Sequence, residues 1–152
     1  MKTKTNLLYG LSCNSLPFML AQIILLEQRE ITVISPYLTD FPINIPNNKY
    51  VQLNSFLNFL FEISKVRMLK LLIKTRKDSY TGIERNFAEY LSNKNVTLKI
   101  EDNLHKKAVI TSTFFYMGSA NLTYSGMNLN NEQCSIGIRA YNASLINDLL
   151  TR

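Results

Sequence analysis

The stretch His105-Lys106-Lys107-Ala108-Val109-Ile110-Thr111, followed by Phe114-Phe115-Tyr116-Met117-Gly118-Ser119-Ala120-Asn121, decides how this chain is read. Ala108 to Thr111 and Phe114 to Met117 are short apolar runs around Ser112-Thr113, which predicts two strands joined by a tight turn. In extended chain, a spacing of two puts His105 and Lys107 on one face. An imidazole beside an ammonium suits a phosphate: the lysine neutralises oxygens while the ring attacks phosphorus or moves a proton. Ser119 and Asn121 share a face by the same parity and offer a hydroxyl and an amide N–H to the same group. Gly118 removes bulk where backbone and ligand come close. Eleven residues after Asn121 comes Glu132, a carboxylate able to hold the ring nitrogen opposite the reacting one and so fix the tautomer.

Outward from that hairpin, helices and strands alternate. Asn14 or Ser15 can cap a helix running to about Gln28, with Pro17 in its first turn. The β-branched Ile31 to Ser35, stopped by Pro36, predicts a strand. Phe41 to Tyr50, with two prolines and an Asn-Asn pair, predicts a loop. Leu53, Phe56, Leu57, Leu60 and Ile63 follow helical spacing. Met68 to Ile73 predicts a central strand. Gly82 to Asn93 predicts a helix with Ile83, Phe87, Tyr90 and Leu91 inward. Val96 to Ile100 and Gln133 to Ile138 predict strands, and Ala143 to Leu150 a last helix. The apolar Leu7 to Leu11 is read as a patch without assigned structure. This alternation implies a single α/β domain over residues 1–152, a mixed sheet sandwiched between helices.

Composition narrows the chemistry. The chain has 152 residues, 46% hydrophobic, so a packed core is expected. Seventeen Lys and Arg against eleven Asp and Glu give +6 and a pI near 9.4, which leans toward a polyanionic partner. The densest basic run is Lys65, Arg67, Lys70, Lys74, Arg76 and Lys77, with no acid between them. Lys74 and Arg76, with Lys77 beside them, follow an apolar strand, where alternation aims side chains along a groove as nucleic-acid contacts. The rest of the run reads as a solvated rim. Tyr37 and Tyr80 could stack on bases, but the eight tyrosines of a domain this size are expected mostly to pack. Cys13 and Cys134 lack zinc or disulfide-scaffold spacing, which favours a reducing, cytoplasmic setting. Cys134 is expected as a core thiol. Asp102 and Glu101 read as solvated strand-end charges, so no metal site is expected. No apolar run reaches the roughly 18 residues of a membrane span, and Lys2 and Lys4 precede too short an apolar stretch for a signal.

His-x-Lys, then Gly-Ser-x-Asn, then a trailing Glu, in this order and around two short strands, resembles the phospholipase D superfamily, especially its small single-motif nucleases. Ile31-Thr32-Val33-Ile34-Ser35-Pro36-Tyr37 resembles that family's first core strand, and the element order is similar across nearly the whole chain. The resemblance implies a phospholipase D-like domain. It implies that His105 is the nucleophile of a phosphohistidine intermediate. Lys107 and Asn121 would bind phosphate oxygens with help from Ser119, and Glu132 would orient the imidazole. It implies no metal and no cofactor. One position departs: the family places Asp five residues after the motif Lys, and this chain has Ser112 there, flanked by Thr111 and Thr113.

The histidine count then sets the expected assembly. Cleavage through a covalent intermediate needs a nucleophile and a general acid, which the family supplies as two histidines. This chain has one, so a C2 homodimer joining two His105 rings in one composite site is expected. The expected function is a metal-independent endonuclease on DNA or RNA, with other proteins of a multi-subunit system, a phage-defence assembly among them, as further partners. A weak or inactive subunit that binds nucleic acid is the second expectation, and a lipid phosphodiesterase the third. The second rests on the missing Asp. The third lacks support from any basic amphipathic helix for a membrane surface.

Overall fold

The computed structural model describes residues 5–11, 15–43, 55–127 and 132–138, with side chains for 16–43 and 55–127. The described strands form one sheet of seven in the order β1-β7-β6-β5-β2-β3-β4. These are β1 (Thr5–Leu11), β2 (Glu30–Ile34), β3 (Lys70–Thr75), β4 (Val96–Ile100), β5 (Ala108–Thr111), β6 (Phe114–Gly118) and β7 (Glu132–Ile138). β2, β3 and β4 run parallel, as their connections through α2 (Phe56–Arg67) and through α3 (Lys77–Asn86) with α4 (Ala88–Leu91) require. β5, β6, β7 and β1 extend the sheet antiparallel from the other side of β2.

Parity along the strands divides the core. Ile31, Val33, Leu71, Ile73, Val109 and Tyr116 face the larger cluster, shared with α1 (Ser15–Leu25) and α2. Phe61 of α2 stacks on Phe87 and on Tyr90 of α4, at 5.0 and 5.4 Å between ring centroids. Ile34, Leu104, Ala108, Ile110 and Phe115 form a second cluster on the opposite face. The domain is α/β, a mixed sheet flanked by helices. The helix expected at Ala143 to Leu150 lies outside the described residues, as do residues 44–50 of the expected loop and Leu53.

Three local expectations need correcting. Thr5–Leu11 is an edge strand paired with β7, with a register shift between Tyr9 and Leu11. Met68 does not start β3. It ends α2 in the left-handed region at φ 56°, its N–H and that of Leu69 closing back on Lys65 and Ser64 carbonyls. The helix expected from Gly82 begins at Lys77 and breaks at Phe87, whose buried ring turns the chain into the short α4.

Candidate active site

The hairpin register brings the two motif halves together. Ala108 pairs with Met117, and the Gly118 N–H donates to the Lys107 carbonyl at 3.1 Å. His105 and Lys107 therefore enter β5 beside Ser119 and Asn121 leaving β6. Ile34 pairs with both Ala108 and Lys74, so the carboxyl ends of parallel strands β2 and β3 lie at this same end. That is where ligands collect on open α/β sheets. Cys134 pairs with Gly118, which puts the backbone of Glu132, two residues earlier on β7, at this end too. The side chains of Glu132 and Cys134 lie outside the described residues.

His105 and Ser119 are exposed, and Lys107 and Asn121 half-buried. The Asn121 Oδ1 is buried and has no hydrogen-bond partner. Buried amides are rarely left so, and turning this one presents N–H instead of oxygen.

Arg76, at the end of β3, meets the histidine directly. Its Nε and Nη2 both donate to the Leu104 carbonyl at 3.1 and 2.9 Å, and Nη1 donates to the Tyr37 hydroxyl at 3.1 Å. The guanidinium lies 5.2 Å from the centroid of the Tyr37 ring. Nη2 also stands 3.2 Å from the His105 Nδ1. Arginine only donates, so Nδ1 is the acceptor here and a neutral ring carries its proton on Nε2. Attack through Nε2 needs the opposite tautomer, with Nδ1–H held by an acceptor. Sequence reasoning placed Arg76 on a groove and missed this contact, because the partners are 29 residues apart.

The other predicted contacts separate. Lys74 is only 6% exposed, with Nζ 3.8 Å from the Glu101 carboxylate. Glu101, expected as a solvated charge, is thus paired. Lys77 is exposed at the first turn of α3, its backbone N–H 3.4 Å from the Asp102 carboxylate. Among the described residues no group of three or more His, Cys, Asp or Glu stands where it could hold a metal ion.

Ser112 lies in the β5–β6 turn, at the end of β5 away from His105. Its N–H donates to Glu27 Oε2, and its hydroxyl donates to Glu27 Oε1 at 2.6 Å. Oε1 also accepts the N–H groups of Gln28 and Arg29 at 2.8 and 2.9 Å. Burial alone would push this carboxyl up. The bonds from Ser112, then Arg29 and Gln28, outweigh it and hold the group below its ordinary value of 4.5. A carboxylate absent at position 112 is thus present in the turn, supplied from the loop after α1.

The chain has the phospholipase D fold. A phospholipase D family member, Nuc from Salmonella typhimurium, superposes with a TM-score of 0.65 at 18% identity, over 99% of this chain and 91% of that one. NucT from Helicobacter pylori gives 0.65 at 13%, over 99% and 92%. TrmBL2, an archaeal chromatin protein with a novel mode of DNA binding, gives 0.63 at 12% over 97% of this chain, which spans 51% of it. Phosphatidylserine synthase from Haemophilus influenzae gives 0.62 at 12% over 98%, this chain spanning 37% of it. No protein-family model matches the sequence, and no curated protein matches it.

Proposed function

We propose that this chain is a phospholipase D-superfamily phosphodiesterase, an endonuclease acting on DNA or RNA without a metal. The observation that carries the reading is the register of β5 and β6, which gathers His105, Lys107, Ser119 and Asn121, whose Oδ1 is unpartnered, at one sheet end. The similarity of fold to Nuc, a phospholipase D family member, and to NucT supports it, as does the net charge of +6. In this reading His105 Nε2 attacks phosphorus and forms a P–N bond while one P–O bond breaks. The leaving oxygen takes a proton from His105 of the partner subunit. Water then attacks phosphorus, gives its proton back to that second ring, and frees the first. Lys107 and Asn121 hold the non-bridging oxygens, and Ser119 assists. Glu132 accepts Nδ1–H once Arg76 has turned to the phosphate, a stronger acceptor than a neutral ring. Other proteins of a multi-subunit system are further partners in this reading.

Cleavage of plasmid and single-stranded substrates in excess EDTA tests it. Wild type, sized by light scattering at twice 17.5 kDa, should cut, and His105→Ala should lose several orders of magnitude, acid–base help alone being worth roughly 10²–10⁴. Inactivity restored only by Mg²⁺, or an active monomer, overturns the mechanism. One observation favours a second reading, a subunit that binds nucleic acid without cutting it: Arg76 Nη2 stands 3.2 Å from His105 Nδ1, a contact that favours the tautomer with the proton on Nε2. Tight binding with no cleavage under any condition would select it.

A further inference from the structure

A cavity of about 610 Å³ opens beside the site, between the segment following β2 and one face of α3. We propose that it receives an unpaired nucleobase of the strand being cut, guanine in preference, next to the phosphate held at His105. The inference rests on the phosphodiesterase reading and deepens it.

Three observations carry it. First, the cavity adjoins the nucleophile through one side chain. Tyr37 lines it, is 46% exposed, and has its hydroxyl 3.1 Å from Arg76, which is 3.2 Å from His105. Across one rigid guanidinium this places the Tyr37 hydroxyl within about 9 Å of Nδ1, a separation that one nucleotide bridges. An exposed aromatic ring next to a phosphate site is a stacking platform.

Second, the cavity is built with a flat notch. Asp78, Gly82 and Asn86 all line it and lie four residues apart, one line along α3. A Cβ on Gly82 would meet nothing within 4 Å, so the middle of the line is open. The facing wall is fixed: the Leu38 N–H donates to the buried Ser79 Oγ at 2.9 Å, and the Leu57 N–H to Asp40 Oδ1 at 2.9 Å. Leu57, Ile83 and Phe87 add apolar surface. The volume falls in the range of preformed ligand sites.

Third, the charges sort base from phosphate. His105, Lys107 and Arg76 suit an anion, whereas the cavity carries two carboxylates, Asp40 and Asp78, against one cation, Arg85, and those carboxylates accept N–H. Asp40 is committed to the backbone. The side chains of Asp78 and Asn86 have no hydrogen-bond partner among the described residues. A carboxylate takes two parallel N–H bonds, and guanine alone among the bases carries adjacent imino and amino donors on its Watson–Crick edge. Uracil and thymine offer one N–H flanked by carbonyls that the carboxylate repels.

The test pairs two readouts. A randomised single-stranded pool is cut and the new ends sequenced, and separately 5′-GMP and 5′-UMP are titrated while amide shifts of α3 are followed. Wild type should show guanine enriched about tenfold at one fixed position from the cut, and GMP should shift α3 more than UMP. Gly82→Leu fills the notch and should level both preferences. Gly82→Ala leaves most of the space and should keep them. Both should melt no lower than wild type, since a helical glycine is replaced. Asp78→Asn should erase the guanine preference. Cutting with a flat base profile, or a profile that survives Gly82→Leu, overturns the pocket and leaves the nuclease reading standing. GMP binding that Gly82→Leu abolishes, without any cutting, upholds the pocket and overturns hydrolysis. Neither cutting nor nucleotide binding overturns both.

Discussion

Replacing Glu27 by glutamine isolates what the missing motif carboxylate costs this chain. The carboxylate is 3% exposed and accepts four hydrogen bonds, three on Oε1 and one on Oε2. Glutamine of the same shape keeps its oxygen where three donors converge, which turns its NH₂ toward the Ser112 N–H. That donor then loses its partner, and the other three bonds lose their charge assistance. A buried unpaired N–H costs about 1–3 kcal/mol and a bond to a charged group contributes about 1.5–3, so Glu27→Gln should destabilise by about 3 kcal/mol. For a domain of this size that lowers Tm by about 6–12 °C. Glu27 is held below 4.5 in the folded chain, so its contribution is fully present above the unfolded value and lost as pH falls through the folded one. Urea melts of the two proteins should differ by a constant amount between pH 6 and 8 and converge below pH 4.5. Restoring the motif by Ser112→Asp should do harm in the wild-type background. Two carboxylates about 4 Å apart repel by up to about 4 kcal/mol at an effective dielectric of 20. The double change Glu27→Ser with Ser112→Asp should recover most of the loss. A neutral Glu27→Gln, or a stabilising Ser112→Asp on its own, refutes the substitution of one carboxylate for the other.

Two further outcomes follow from local geometry. Met68 sits at φ 56° with its side chain 75% exposed, so Met68→Gly removes left-handed strain without losing packing and should stabilise by about 1 kcal/mol in urea melts; a loss of stability would contradict the assigned cap. ¹⁵N spectra of the free protein at neutral pH should show the His105 proton on Nε2, and Arg76→Ala should shift population toward Nδ1–H. An unchanged tautomer ratio would mean that the guanidinium does not govern the ring.

Much of the fold was legible because its signals are local. Ile31 to Ile34 and Val96 to Ile100 are β-branched or alternating runs, and Phe56, Leu57, Leu60 and Ile63 repeat at helical spacing and are all buried. The hairpin was legible because two residues, Ser112 and Thr113, separate two apolar runs whose ends carry the polar motif. What failed depends on distant chain. β1 is defined only by β7, more than 120 residues later, and a seven-residue stretch cannot announce such a partner. The break at Phe87 is set by packing of its ring on Phe61, where helical propensity alone would continue to Asn93. Met68 looks like the first residue of an apolar run and acts as a helix cap. The site divides the same way. Each motif half was readable from parity, whereas Arg76 on His105 and Glu27 on Ser112 join segments 29 and 85 residues apart.

These two tertiary contacts change where the question of activity lies. The sequence places the doubt at Ser112, because the family's Asp is missing there. But β5 stands between Ser112 and Lys107, five residues of extended chain or about 16 Å. A carboxylate at that distance reaches the phosphate only by fixing the hairpin, and Glu27 already fixes it. Arg76 is the group that touches the His105 ring. In the proposed mechanism its cation occupies the nitrogen from which a nucleophilic histidine must donate, so the restraint would lie at His105 rather than in the hairpin. A phosphodiester arriving over Lys107 competes with Nδ1 for the guanidinium, and charge favours the phosphate. In the proposed mechanism the anion that becomes the substrate would release the histidine that attacks it, so cleavage should follow occupancy of the site rather than the motif alone.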